Sequence, residues 1–315
     1  WEDQVRSVVM LVSGYSGFCT GALINNTSND GTPYFLTANH CYSGSPSAWV
    51  FQFNYESPTC SGTTGSPQSV SGSILKARGP ISDFCLVEIT QQIPSSYDVY
   101  YSGWSRSTTP STTSTGMHHP QGDIKKICQD TDNALASSFG GAPCWRVAKW
   151  EFGVTEGGSS GSPLFDQNKR IVGQLYGGQA TCSFLFNDYY GRFDYSWNSG
   201  LKGFLDPIGA NPVTLDGREP GGGQPQTYCT AKVNSLGCTP QIAFQGSPSL
   251  SDPTPFTLSA SQVLDNKVGI FFFSTQGPTS QPFMGGTLCV LSPIRRTPAL
   301  DALSPSATKT PIVFP

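Results

Sequence analysis

Glu156-Gly157-Gly158-Ser159-Ser160-Gly161-Ser162-Pro163 consists almost wholly of small residues, which let a backbone turn tightly and bring several N–H groups into one concavity. A serine hydroxyl in such a concavity is a candidate nucleophile. Ser160 is that candidate here, with the amides of Gly158 and Ser160 as donors for a developing oxyanion. Glycine-serine runs also occur in plain loops, so the segment acquires meaning only if partners exist elsewhere in the chain. Acyl transfer by a serine needs a base to take the hydroxyl proton and a carboxylate to orient that base.

The base is sought among three histidines. His40 ends the apolar run Leu36-Thr37-Ala38-Asn39-His40-Cys41, where small residues leave room beside an imidazole. His118 and His119 precede Pro120 in a turn-like segment and read more simply as structural. The first aspartate after His40 is Asp83, which opens the strand-like run Asp83-Phe84-Cys85-Leu86-Val87-Glu88-Ile89 and is the candidate orienter. His40, Asp83 and Ser160 then stand in the chain order His, Asp, Ser, one of the few orders in which such triads are built. No Cys/His cluster has metal spacing, so metal catalysis is not expected and no cofactor is required.

Composition agrees with an extracellular β protein. Only 12% of residues are charged, while 35 Gly and 25 Pro imply many turns between short apolar runs, an all-β pattern. The formal net charge of -3, with no long basic run, argues against nucleic acid as a partner. Ten cysteines point to an oxidising compartment and a secreted protein. No apolar run reaches the roughly 20 residues needed to cross a bilayer, so membrane insertion is not expected. Trp1 is not a natural start, which implies that a leader has been removed.

Along the chain, residues 1–207 alternate short apolar stretches with Gly, Pro, Asn or Ser. The expected strands include Arg6 to Val12, Tyr34 to Ala38, Ala48 to Asn54, Phe84 to Ile89 and Arg170 to Tyr176, with a short helix at Gly200 to Leu205 closed by Pro207. Residues 208–227 contain Asn211-Pro212, Pro220 and Gly221-Gly222-Gly223 and read as a linker. Strand-like runs return over 228–298 (Phe256 to Ser259, Val268 to Ser274, Thr287 to Leu291) with Cys229, Cys238 and Cys289. That stretch reads as a small β module stapled by one disulfide whose pairing is open. The tail 299–315 is rich in Ser, Thr and Pro and is expected to be poorly ordered.

Several of these segments resemble the chymotrypsin-like serine proteases, and within them the secreted bacterial lysyl endopeptidases. The carrying stretches are Cys19-Thr20-Gly21-Ala22-Leu23-Ile24-Asn25-Asn26, Tyr34 to Cys41, Ser82-Asp83-Phe84, His118-His119-Pro120, Gly153 to Pro163, and Leu175-Tyr176-Gly177-Gly178 followed by Cys182. The resemblance spans about residues 1–207 and implies two six-stranded antiparallel β-barrels, about 1–95 and 96–207, with the triad between them. It implies a Cys19–Cys41 disulfide bracing the strand that presents His40. In such enzymes a buried carboxylate in the substrate pocket selects a cationic side chain. Asn187-Asp188-Tyr189-Tyr190-Gly191-Arg192 looks like the lysine-selecting segment, which makes Asp188 the candidate, with Asp194 as its rival; Leu175, Tyr176 and Gly177 would line the substrate edge.

This chain departs from the family at two places. Well-known members carry a histidine where Tyr176 stands, with a tryptophan stacked on it. The matching stretch here lies near Phe139, so the pH behaviour attributed to that pair does not carry over. The family's mature chain also begins with a cysteine-bearing stretch that would precede Trp1; its absence would leave Cys60 and Cys182 without their usual partners, unless those sulfurs pair differently. Cys128 and Cys144 flank an insertion-like loop and are expected to bond to each other, and Cys85 to be a free buried thiol.

The reading that follows is a secreted, monomeric endopeptidase acting on protein or peptide substrates after Lys, with Arg as a second substrate, and using its C-terminal module for cell-surface or substrate attachment. A protease of different specificity and an inactive protease-like binding protein are the alternatives.

Overall fold

The computed structural model describes residues 1–14, 16–59, 66–220, 229, 231–245, 257–264, 266–274, 278–297, 300–301 and 306–308. The chain divides into two units, Trp1–Pro220 and Gly221–Pro315.

The first unit is mostly β. Its strands are β1 (Val8–Ser13), β2 (Ser16–Leu23), β3 (Tyr34–Ala38), β4 (Val50–Phe53), β5 (Gln68–Ser71), β6 (Ser73–Gly79), β7 (Phe84–Ile89), β8 (Trp104–Ser105), β9 (Ser114–His118), β10 (Lys126–Asp130), β11 (Leu135–Phe139), β12 (Ala142–Lys149), β13 (Pro163–Phe165), β14 (Ile171–Gly178), β15 (Phe186–Arg192) and β16 (Thr214–Leu215). A seven-stranded sheet runs β5-β4-β1-β2-β3-β7-β6. A nine-stranded sheet runs β10-β9-β13-β14-β15-β12-β11, with β8 and β16 added beside β14. The two curled, essentially antiparallel sheets match the chymotrypsin-like class, though with seven and nine strands where six each were expected.

Alternation along the first sheet explains why its strands read as continuous apolar runs. In β7, Cys85, Val87 and Ile89 enter the core of the first sheet with Val9, Leu11, Phe35 and Phe51. Phe84 and Leu86, on the other face, join Val8, Ala22 and Leu36 in a second core with Trp104, Met117, Phe165 and Ile171 of the other sheet. Successive side chains point to opposite faces of a strand, so a strand buried on both faces has no polar side to display. A third core, with Trp145, Val147, Trp150, Leu164 and Tyr190, fills the second sheet.

Three expectations are corrected here. The run expected as a strand from Arg6 begins as a helix, α1 (Glu2–Ser7), with Glu2 and Asp3 in its first turn and Arg6 in its last, charges that suit the helix dipole. The terminal helix starts earlier than Gly200: α2 (Phe193–Ser196) and a wider helical segment (Trp197–Leu201) lead into α3 (Lys202–Leu205). Phe193, Trp197, Leu201 and Leu205 seal the inter-sheet core, which supplies the reason for the extra turns. Residues 208–220 are not linker. Strand β16 pairs with β8, Tyr101 and Arg218 exchange backbone hydrogen bonds of 2.9 and 2.8 Å, and Glu219 pairs with Arg6 at 2.6 Å. The rest of the expected linker, residues 221–227, lies outside the described residues.

In the second unit, β17 (Gln241–Gln245), β18 (Thr257–Ser261), β19 (Val268–Gly269), β20 (Phe272–Phe273), β21 (Pro278–Phe283), β22 (Gly286–Val290), β23 (Arg295–Arg296), β24 (Leu300–Asp301) and β25 (Ser306–Thr308) form one three-stranded sheet and three pairs. The run Val268 to Ser274 is thus two short strands instead of one. Two strands also fall inside the tail 299–315, whose remaining residues lie outside those described. Cys229 is bonded to Cys289, and Cys238 is free and exposed. None of this unit's residues whose burial is described is buried, so its covalent staple carries weight that a core carries elsewhere.

Candidate active site

Strand register brings the first two candidates together. β3 and β7 pair so that Ala38 faces Phe84, which sets the residues just beyond them side by side. Asp83 then holds the turn that carries His40 at three points: its carbonyl accepts the Asn39 amide at 2.8 Å, Oδ1 accepts the His40 amide at 2.9 Å, and Oδ2 lies 2.7 Å from His40 Nδ1. Asp83 is buried and adopts φ +56°, a left-handed conformation that aspartate tolerates better than most residues. From the other side, a disulfide ties Cys41 to Cys19 in β2.

The Ser160 loop is tied to the first sheet through Thr20. The Thr20 amide donates to the Ser160 carbonyl at 2.8 Å, and its hydroxyl donates to the Gly158 carbonyl at 3.0 Å. The Thr20 carbonyl accepts the hydroxyl of Thr37, in the strand that leads to His40, at 2.7 Å. Gly161, at φ +80°, packs so closely on Thr37, Thr20 and Ala38 that a β-carbon there would overlap their atoms. Within the loop the amides of Ser159, Gly161 and Ser162 donate to Glu156, Leu175 and Ser159 carbonyls. Those of Gly158 and Ser160 have no protein acceptor among the described residues, as an oxyanion cradle requires.

No hydrogen bond joins Ser160 to His40 in this structure. The His40 ring stacks on Tyr176, centroids 5.8 Å apart. Such bonds are commonly long without substrate and shorten in the complex. Tyr176 in turn meets Phe139 edge-on at 5.2 Å, and Phe139 stacks on Tyr189 at 4.8 Å. Phe139 therefore stands against the residue over the imidazole, and Tyr176 and Gly177 both touch the same aromatic ladder.

Asp188, on β15, is buried. Its Oδ2 accepts the Trp150 indole N–H at 2.7 Å and the Thr155 hydroxyl at 2.5 Å. Burial pushes this carboxyl above the usual carboxylate range, and the hydrogen bonds from Thr155, Trp150 and the Ala180 backbone oppose the rise. Gly178 faces Oδ1 so closely that any side chain there would collide with it. Asp194 is instead held by both nitrogens of the Arg192 fork, at 2.9 and 2.8 Å, so its charge is already matched by a cation of the chain itself.

His118 and His119 brace the Ser160 loop from behind. His118 Nδ1 lies 2.8 Å from the Ser159 hydroxyl, and the His119 amide donates to Thr20 Oγ1 at 3.0 Å. Burial, aided by Lys126 and Lys125, pushes His118 down to about 4 and His119 to about 3 from the ordinary 6.5. The unfolded chain therefore takes up these protons first as pH falls. Their contribution to stability is intact above about pH 6.5 and is lost progressively towards pH 3. Urea denaturation at pH 7, 5.5 and 4 is expected to show a falling midpoint. In a His118→Gln, His119→Gln variant the decline should be shallower; an equal decline would remove these histidines from the account.

The expected Cys128–Cys144 bond does not form. Cys128 points into the core of the second sheet with Trp145 and Val147, whereas Cys144, next to Trp145 on β12, alternates to the opposite face. Cys85 is free and buried as expected. Cys182 is exposed, its thiol donating to Glu156 at 3.2 Å, and Cys60 lies outside the described residues. A cleft of about 800 Å³ lined by Met117, Ile124, Phe152 and Cys182, among others, contains none of His40, Asp83, Ser160 or Asp188.

Thr20, Trp150, Thr155 and His118 are the residues that sequence reasoning missed as parts of the site. The only signal available for Thr155 and Trp150 was their proximity in sequence to Ser160.

Residues 1–191 match the family described as "Lysyl endopeptidase, C-terminal domain". The lysyl endopeptidase of Pseudomonas aeruginosa is 33% identical over 214 residues, covering 61% of this chain and 46% of that protein, so the chain spans about half the length of this curated relative. Among solved structures, the HtrA-type protease AlgW with a tripeptide aligns at a TM-score of 0.47 and 12% identity, covering 66% of this chain and 62% of that one. The thermostable serine protease AL20 from an extremophilic microorganism aligns at 0.43 and 14%, covering 63% and 98%.

Proposed function

The chain belongs to the lysyl endopeptidase family through that C-terminal domain, and on this premise we propose that it is a secreted serine endopeptidase cleaving after basic residues, Lys before Arg. Ser160 Oγ attacks the scissile carbonyl carbon while its proton passes to His40 Nε2. Asp83 keeps the Nδ1 proton in place and steadies the imidazolium. The oxyanion rests on the Gly158 and Ser160 amides. Collapse of the tetrahedral intermediate breaks the C–N bond, His40 returns the proton to the departing amine, and water then releases the acyl group by the same route.

The observation that carries this reading is the threefold hold of Asp83 on the His40 turn beside a loop whose Gly158 and Ser160 amides are unengaged. Selection of a cation falls to Asp188. Trp150, Thr155 and the Ala180 backbone already donate to this carboxylate, so little of it is left for a ligand, which suits the point charge of an ammonium better than the two-pronged guanidinium. The protein acts as a monomer on peptide substrates, and residues 228–298 attach it to a surface or substrate.

The experiment is digestion of a mixed peptide library followed by sequencing of the new C-termini. Enrichment of Lys, with Arg behind it, is the expected result. Cleavage indifferent to basic residues would favour a protease of other specificity, and absence of cleavage together with failure to react with a phosphonyl fluoride would favour an inactive binding scaffold.

A further inference from the structure

A second cluster of chemistry lies in the second sheet and includes none of the residues above. Strand β10 ends at Asp130, Asp132 follows in the turn, and Glu151 comes shortly after β12. Backbone bonds fix this meeting: the Gln129 amide donates to the Phe152 carbonyl at 2.8 Å, and the Glu151 amide to the Gln129 carbonyl at 3.0 Å. One carboxylate oxygen from each of Asp130, Asp132 and Glu151 lies within 4.8 Å of the others. No Lys, Arg or His among the described residues forms an ion pair with any of the three.

Asp130 makes this more than a crowd of surface acids. The residue is only 3% exposed. Its Oδ1 accepts the Asp132 amide at 2.8 Å, but its enclosed Oδ2 takes no amide, hydroxyl or cationic donor among the described residues. A buried carboxylate oxygen beside two further carboxylates is costly unless a proton or a cation joins them. Asp132 and Glu151 are exposed, so the cluster opens to water on one side.

We propose that Asp130, Asp132 and Glu151 bind a hard divalent cation of the calcium class. Oxygens bound to calcium at about 2.4 Å lie at most about 4.8 Å apart, and the ion accepts six to eight of them, so water completes the shell on the open side. Bound there, the ion neutralises the Asp130 carboxylate and clamps the end of β10 to the segment after β12. The site is independent of the proteolytic reading and stands or falls separately from it.

The test uses the full chain stripped with chelator and carrying Ser160→Ala to prevent self-digestion. Calcium chloride is titrated in a calorimeter, and thermal unfolding is followed with calcium or with sodium chloride of equal ionic strength. One ion per chain is expected, with Tm raised by about 5 °C at saturating calcium. Asp132→Asn with Glu151→Gln, both exposed positions that leave the buried acid in place, should abolish the heat and the shift. Absence of binding in the parent protein, or an unchanged shift in the double variant, overturns the proposal.

Discussion

Ser160→Ala is expected to lower turnover of a lysyl amide substrate by about a million-fold, the loss seen when the nucleophile of a working triad is removed. The substitution is structurally mild. Thr20 binds the loop through the Ser160 backbone carbonyl, not its hydroxyl, so the loop keeps its anchor and the Gly158 and Ser160 amides keep their positions. A residual rate of about 10³ to 10⁴ over water is therefore expected from the oxyanion donors and substrate binding alone. Circular dichroism should be unchanged, which separates lost chemistry from lost fold. Retention of a tenth or more of the parent rate would remove Ser160 from the mechanism.

Asp188→Asn is expected to lower kcat/KM for a lysyl substrate by about 10² to 10⁴, the cost of leaving a buried cation without its opposite charge. Asparagine keeps the shape, and its amide oxygen can still accept from Trp150 and Thr155 if it takes the place of Oδ2. A substrate with a small neutral side chain at the same position should be cleaved about as well by the variant as by the parent. That contrast distinguishes a specificity residue from one that merely holds β15 in place. Unchanged lysyl kinetics would place selectivity elsewhere.

The candidate triad was legible because each member sits in a short segment with its own local signature: a small-residue turn at Ser160, a strand ending at His40, an acid opening a buried run at Asp83. Thr20 was not, because its importance comes from reaching across to Gly158 and Ser160, residues far along the chain, and nothing in Cys19-Thr20-Gly21 announces that. Trp150 and Thr155 were missed for the same reason: their bonds to Asp188 depend on how β12 and β15 lie together. The Cys128–Cys144 expectation weighed nearness in sequence and ignored parity along the strand, which puts Cys144 on the face opposite Trp145. The apolar run Val8 to Val12 hid the end of α1, since Arg6 and Ser7 directly before it read as the start of the same strand.

A sheet covered with apolar groups on both sides gives up an ordinary safeguard. In a strand with one wet face, sliding by a single position turns oil toward water and is rejected at once. Here a slipped β7 would exchange Phe84 and Leu86 for Cys85 and Val87, one greasy set for another, and hydrophobicity would discriminate little. The alignment must be read off polar and covalent landmarks instead, among them the Asp83 hold on the His40 turn, the Lys76–Glu88 ion pair between β6 and β7 and the bond from Cys41 to Cys19. The groups that prepare the imidazole thus double as the pins that tell the strands where to stop.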